Sequence, residues 1–243
     1  MRTLVINFPL PNLNFDNFSF LSAPSFIEYQ RVIVDIGATA TAVQQAADGE
    51  GAHTTYGGQA IVNGVTSAHA FPLAELLEMR RREAELLLSH GGLIILITHP
   101  ETTVPGVDGA DWRSYSWLPE PENFSFTRDI LPGFGRQGAV LTDPDHPFGP
   151  YIRDLAPRIA YRAYLNESAQ GFAETGAIFA RSAGGVAIGF DVATAGGRLL
   201  LLPTLADPTK DRPVIANAIV GSLDLLDTSA ANKSRTRSAA ERL

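Results

Sequence analysis

Pro72–Glu101, PLAELLEMRRREAELLLSHGGLIILITHPE, decides the fold. Pro72 suits the first turn of a helix, where its missing N–H removes no intrahelical bond. Leu73, Leu76, Leu77, Ala84, Leu87 and Leu88 recur at spacings of three, four and seven, so one stripe faces a core. Arg80, Arg81 and Arg82 fall mostly off that stripe and read as a solvated face, with Glu78 placed to pair with Arg82. Gly91 and Gly92 can adopt the left-handed conformation that stops a helix. Leu93–Ile97 is apolar without alternation, the mark of a strand covered on both faces. His99, Pro100 and Glu101 follow at its carboxyl end, the edge where open α/β sheets place ligands.

Outward from this unit, RVIVDI at Arg31–Ile36 reads as a second buried strand, with Asp35 near its end and Gly37 opening a turn. Thr3–Phe8 reads as a short first strand, and Phe15–Phe26 as an edge strand or irregular packing. Residues 38–70 are low in charge and rich in Ala, Thr and Gly. They read as an insertion carrying a small hairpin, with Asn63-Gly64 as its turn. Thr102–Gln137 is a long aromatic-rich segment that should cross the ligand edge. Ala139–Leu141 reads as a short strand, and Gly176–Arg181 with Val186–Val192 as a hairpin about Ala183-Gly184-Gly185. Arg198–Leu202 is another buried strand. Pro213 starts a last helix with Ile215, Ile219, Leu223 and Leu226 on one face. Strands alternating with helices imply an α/β fold with a mainly parallel sheet, to which the late hairpin adds antiparallel strands. The chain divides into one domain, 1–227, and a flexible polar tail, 228–243.

With 45% hydrophobic and 19% charged residues, the composition is globular and supplies a sizeable core. A formal charge of -7 gives nucleic acid and anionic membranes no general attraction, so the expected partner is a protein or a small molecule. No apolar run is long enough to span a bilayer. The opening MRTLVINFPLPNLNFD has prolines and an aspartate where a secretory leader needs an apolar run. The absence of cysteine excludes disulfides, zinc–thiolate sites and a cysteine nucleophile, and agrees with a cytoplasmic location.

Four segments in order resemble the class I glutamine amidotransferase-like superfamily, especially its ThuA-like branch. They are RVIVDIG, the helix running into SHGGLIILITHPE, the turn LTDPDHPF, and VAIGFDVATAGGRLLLLPTL. The resemblance implies a flavodoxin-like three-layer sandwich, with His99 delivered at a strand tip and a late turn carrying His146. It also carries a departure. The glutaminases of that superfamily hold a cysteine after the central strand, where this chain has Thr98-His99-Pro100. Glutaminase chemistry by that route is excluded, since a hydroxyl without a base is a far poorer nucleophile at neutral pH. The link of ThuA-like proteins to sugar metabolism suggests an enzyme acting on a sugar derivative as one alternative.

The candidate catalytic residues are His99, Glu101 and His146, with His99–Glu101 as an acid/base pair. The candidate ligand-binding residues are Asp35, His99, Trp112, Tyr115, Trp117 and Asp145. Each has a plain structural reading beside the functional one. A strand-end histidine can bond a loop backbone, Asp35 can cap a helix, and Asp143-Pro144-Asp145 is ordinary turn chemistry. Trp112, Tyr115 and Trp117 can wall a sugar site or serve as satellite core. No spacing fixes a metal site, so none is expected, and no cofactor motif is present. The leading expectation is a non-catalytic amidotransferase-like domain that binds a small ligand or a protein partner within an assembly. A purely structural subunit docking through residues 38–70 and the basic tail is the remaining alternative, and a homo- or hetero-oligomer is compatible with each.

Overall fold

The computed structural model of the chain describes residues 2–49, 54–56, 59–63, 70–107, 109–135, 138–168, 176–194 and 196–240. Five strands pair in parallel: β1 (Thr3–Ile6), β2 (Phe15–Phe18), β3 (Arg31–Asp35), β7 (Leu93–Ile97) and β15 (Arg198–Leu202). Between β3 and β7 lie three short strands, β4 (Thr54–Tyr56), β5 (Gln59–Asn63) and β6 (Ala70–Pro72), which form a separate antiparallel sheet. The main sheet is completed by antiparallel β14 (Ala187–Ala193), β13 (Gly176–Ser182) and β11 (Ala139–Leu141), giving eight strands in the order β11-β13-β14-β15-β7-β3-β1-β2. Every residue of β3 and β7 is buried, because helices cover both faces.

Helices α1 (Ile36–Ala47) and α2 (Leu73–Ser89) pack on one face, in a core with Val34, Leu96 and Leu201. The hairpin of β8 (Thr103–Val107) and β9 (Ala110–Arg113) joins that layer, as does the one-turn α3 (Phe126–Asp129). On the opposite face lie α4 (Gly149–Leu155) and the long α5 (Pro208–Ala240), over Ile33, Ile95 and Leu200. A short ribbon of β10 (Ile130–Gly135) and β12 (Tyr161–Leu165) stands beside the main sheet. The result is a three-layer α/β sandwich of the flavodoxin-like kind, with the late β13–β14 hairpin at its antiparallel end.

Several sequence expectations need correction. Residues 38–47 are not loop: α1 begins directly after β3, with Asp35 as its N-cap, and Gly37 lies inside its first turn. Its buried face is Ile36, Thr39, Ala40, Val43 and Ala46, whose small side chains make little hydrophobic contrast for a periodicity to reveal. Of the expected Asn63-Gly64 turn, Asn63 ends β5 and Gly64 lies outside the described residues.

Arg80 is not on the solvated face of α2, since only 1% of it is exposed. Its guanidinium donates to the carbonyls of Phe20, Ala23 and Pro24, pairs with Glu83 at 2.7 Å, and lies 4.9 Å from the Phe26 ring. The carbonyls of an irregular segment, otherwise lacking donors, are what draw an arginine into this core. The Glu78–Arg82 pair does form on the exposed side, at 3.2 Å.

Pro213 lies within α5, which starts five residues earlier at Pro208. The helix also continues through residues 228–240, assigned from sequence to the flexible tail. Alanine, lysine and arginine there have favourable helix propensity and extend a helix already nucleated on the core.

Candidate functional site

The register of β3 and β7 sets Asp35 beside Ile97 at the carboxyl edge of the sheet. Two residues further on, the His99 ring lies against α1. A Cβ placed on Gly37 would stand 2.6 Å from His99 Nδ1, so the ring occupies the space that a side chain at position 37 would need. Asp35 Oδ1 accepts the Ala38 N–H at 2.8 Å, the usual N-cap bond, and lies 3.4 Å from His99 Nε2. His99 is held on its other side by Tyr115, whose hydroxyl donates to the His99 carbonyl at 2.7 Å and accepts the His99 N–H at 3.3 Å. The Tyr115 ring stacks on Phe126, with centroids 4.9 Å apart. Burial drives the Tyr115 hydroxyl well above its ordinary pKa; the His99 N–H that it accepts opposes this, while Glu101 and Asp35 add to it. The group therefore remains a protonated donor.

Asp35 and His99 are thus brought together, but the expected His99–Glu101 pair is not the one that forms. Glu101 instead accepts from the Thr127 hydroxyl at 3.1 Å, because the chain after Pro100 turns toward α3. Thr98, adjacent to His99, is 1% exposed and donates its hydroxyl to the Leu202 carbonyl at 2.9 Å.

His146 belongs elsewhere. It stacks on Phe179 in the second core, with ring planes 3° apart and centroids 4.0 Å apart. The Phe148 N–H donates to its Nδ1 at 3.2 Å, which assigns the ring proton to Nε2; that atom points toward Asp191 at 3.5 Å. Arg198 forks onto the same carboxylate. Burial alone would raise the pKa of Asp191. The approach of His146 and the bonds and charge of Arg198 outweigh it and hold the group below the usual carboxylate range. Asp191 and Arg198 were not singled out from sequence. The signal was a lone acid within the apolar run VAIGFDVA and an arginine opening the next strand. Asp145 stays exposed in a turn, where its N–H bonds Asp143 Oδ1 at 3.1 Å. Among the described residues no cluster of three or more His, Asp or Glu is placed to hold a metal ion.

Trp112, Tyr115 and Trp117 are buried members of the first core rather than an exposed stacking wall. Trp117 packs edge-on against Phe20 and Phe26, and its indole N–H donates to the Ser114 carbonyl at 3.0 Å. Large aromatics on an irregular segment gain more by joining an adjacent core than by standing in water. Edges of these rings still floor two clefts beside α2.

No known protein family matches the sequence, and no curated protein does. The chain is similar to the solved structures of two cytoplasmic proteins of Salmonella typhimurium. STM3548 is 10% identical, with a TM-score of 0.46 over 92% of this chain and 98% of that one. STM1381, from strain LT2, is 11% identical, with a TM-score of 0.47 over 93% of this chain and 99% of that one. At these values the likeness says nothing about the site. Among the described residues no helix is long and apolar enough to cross a membrane.

Proposed function

We propose that this chain is a cytoplasmic binding module built on an amidotransferase-like α/β domain, acting by holding a protein partner or small ligand without turning it over. The observation that carries the reading is Thr98. It stands in the region where the resembled glutaminases keep their cysteine, yet its hydroxyl is buried and engaged by the Leu202 carbonyl. A hydroxyl so held donates its proton to a backbone carbonyl rather than to a base, and its burial closes the approach of an electrophile from solvent. The other catalytic candidates are dispersed: Glu101 bonds Thr127, and His146 lies in the core on the far side of the sheet.

A second reading, an enzyme acting on a sugar derivative, is favoured by one observation, the 3.4 Å approach of Asp35 to His99 at the ligand edge. Purified protein incubated with glutamine and a panel of sugars, sugar acids and sugar phosphates, with products followed by NMR, separates the two. The binding module should give no turnover above that of His99→Ala. Turnover by the wild type that falls about a hundredfold in a folded His99→Ala variant would overturn it in favour of the enzyme.

A further inference from the structure

Three clefts join along the outer side of α2. The first, of 250 Å³, lies over Trp112 and Trp117; the second, of 470 Å³, over Tyr115 and Phe126; the third, of 420 Å³, reaches Leu88 and Gly196. The first two share Arg81 and Ser116, and the second and third share Glu85, Pro119 and Glu120. Together they form one groove following α2 from Ala74 to Ser89, about 22 Å at the helical rise. Its walls carry six carboxylates: Glu78, Glu85, Glu101, Asp111, Glu120 and Glu122. Three guanidiniums answer these six: Arg82 pairs with Glu78, Arg81 with Glu85 and Glu78, and Arg113 bonds Thr127, so the acids still outnumber the bases. The groove is therefore an aromatic floor between acidic walls, suited to a basic segment of polypeptide.

The chain itself carries such a segment. Residues 228–243 contain Lys233, Arg235, Arg237 and Arg242 against the single acid Glu241. The helical part, residues 228–240, spans about 20 Å, close to the length of the groove. It cannot reach the groove of its own copy as α5 stands. α5 belongs to the core on the opposite face from α2, and it leaves the body at the amino edge of the sheet, where Asp227 pairs with Arg31 of β3. We propose that the acidic groove along α2 receives the basic end of α5, residues 228–240, from a second copy of this chain. Two such contacts exchange tail for groove in both directions and close a twofold dimer. Attraction between the opposite charges of tail and groove makes the dimer salt-sensitive. Docking of this kind presupposes the binding role proposed above, and the two fail separately. A monomeric chain without turnover refutes only the docking, whereas turnover lost in His99→Ala refutes only the binding role.

The test is a charge exchange in the full chain, read by analytical ultracentrifugation at low and high salt. One variant reverses the tail (Lys233→Glu, Arg235→Glu, Arg237→Glu), and the other reverses the groove (Glu78→Lys, Glu85→Lys, Glu120→Lys). The wild type should dimerise at low salt and dissociate as salt rises. Each variant alone should dimerise at least about tenfold more weakly, and an equimolar mixture should recover the dimer, since each tail then meets a groove of opposite sign. A monomeric wild type, or a dimer that the tail reversal leaves unchanged, overturns the proposal. So does a mixture that stays monomeric when both variants melt like the wild type. If the groove variant melts early, the tail variant and the salt dependence decide.

Discussion

Arg80→Ala is the substitution that tests most sharply how α2 is held. The side chain satisfies the carbonyls of Phe20, Ala23 and Pro24 and neutralises Glu83 within a site closed to water. Burial pulls the guanidinium below its ordinary pKa, and the Glu83 carboxylate pulls it back up, so the ion is costly to bury but well paired. Truncation removes the partner and leaves the cost. Glu83 becomes an unpaired buried charge, three carbonyls lose their donor, and the Phe26 face loses its cation. Breaking a buried pair in this way costs about 3–5 kcal/mol, which for a chain of this size lowers Tm by roughly 6–20 °C. Arg81→Ala is the internal control. That side chain is 51% exposed and pairs with Glu85 across solvent, an interaction worth about 0–1 kcal/mol. Urea denaturation of the two variants beside the wild type measures both losses, and an unchanged slope confirms that the same transition is compared. A loss for Arg80→Ala no greater than for Arg81→Ala would refute the latch between α2 and residues 20–24.

Two further outcomes follow from the sites themselves. Gly37→Ala gains about 1 kcal/mol of helix propensity but drives a methyl into the His99 ring, an overpacking cost of about 1–3 kcal/mol; the His99 imidazole resonances should shift in NMR spectra, and unchanged resonances would show that the ring does not lie there. The depressed pKa of Asp191 makes its contribution to stability complete above the ordinary aspartate value of about 3.9 and progressively lost as pH falls toward its lower folded value. Asp191→Asn should therefore be less stable than the wild type at neutral pH and converge on it below about pH 3.9, whereas parallel stability curves would mean that the carboxylate is not held as described.

The parts of the fold legible in the sequence are those written in large aliphatic residues. Leu93–Ile97, Arg31–Asp35 and Arg198–Leu202 read as buried strands because no alternation interrupts them, and all three lie side by side in parallel. α1 escaped because its buried face is mostly Ala and Thr, and because Gly37 reads as a turn until the packing of His99 against it is known. Arg80 escaped for a different reason: hydrophobic periodicity cannot register an arginine whose partners are backbone carbonyls sixty residues earlier. At the candidate site, position was legible and pairing was not. The strand ends placed Asp35 and His99 at the same edge, but the choice of Asp35 over Glu101 depends on the β3–β7 register. His146 and Asp191 meet through the fold of β13 and β14 on the far face, which no local spacing encodes.

The binding-module reading stands most directly on the inertness of Thr98. Intact-protein mass spectrometry after incubation with an activated acyl ester reads this without assuming a substrate. Thr98 should carry no acyl group, and the mass profile of Thr98→Val should match that of the wild type, because the hydroxyl is committed to the Leu202 carbonyl and closed to solvent. An adduct mapped to Thr98, absent in Thr98→Val and reduced in His99→Ala, would reveal an activated nucleophile at the end of β7 and contradict the reading.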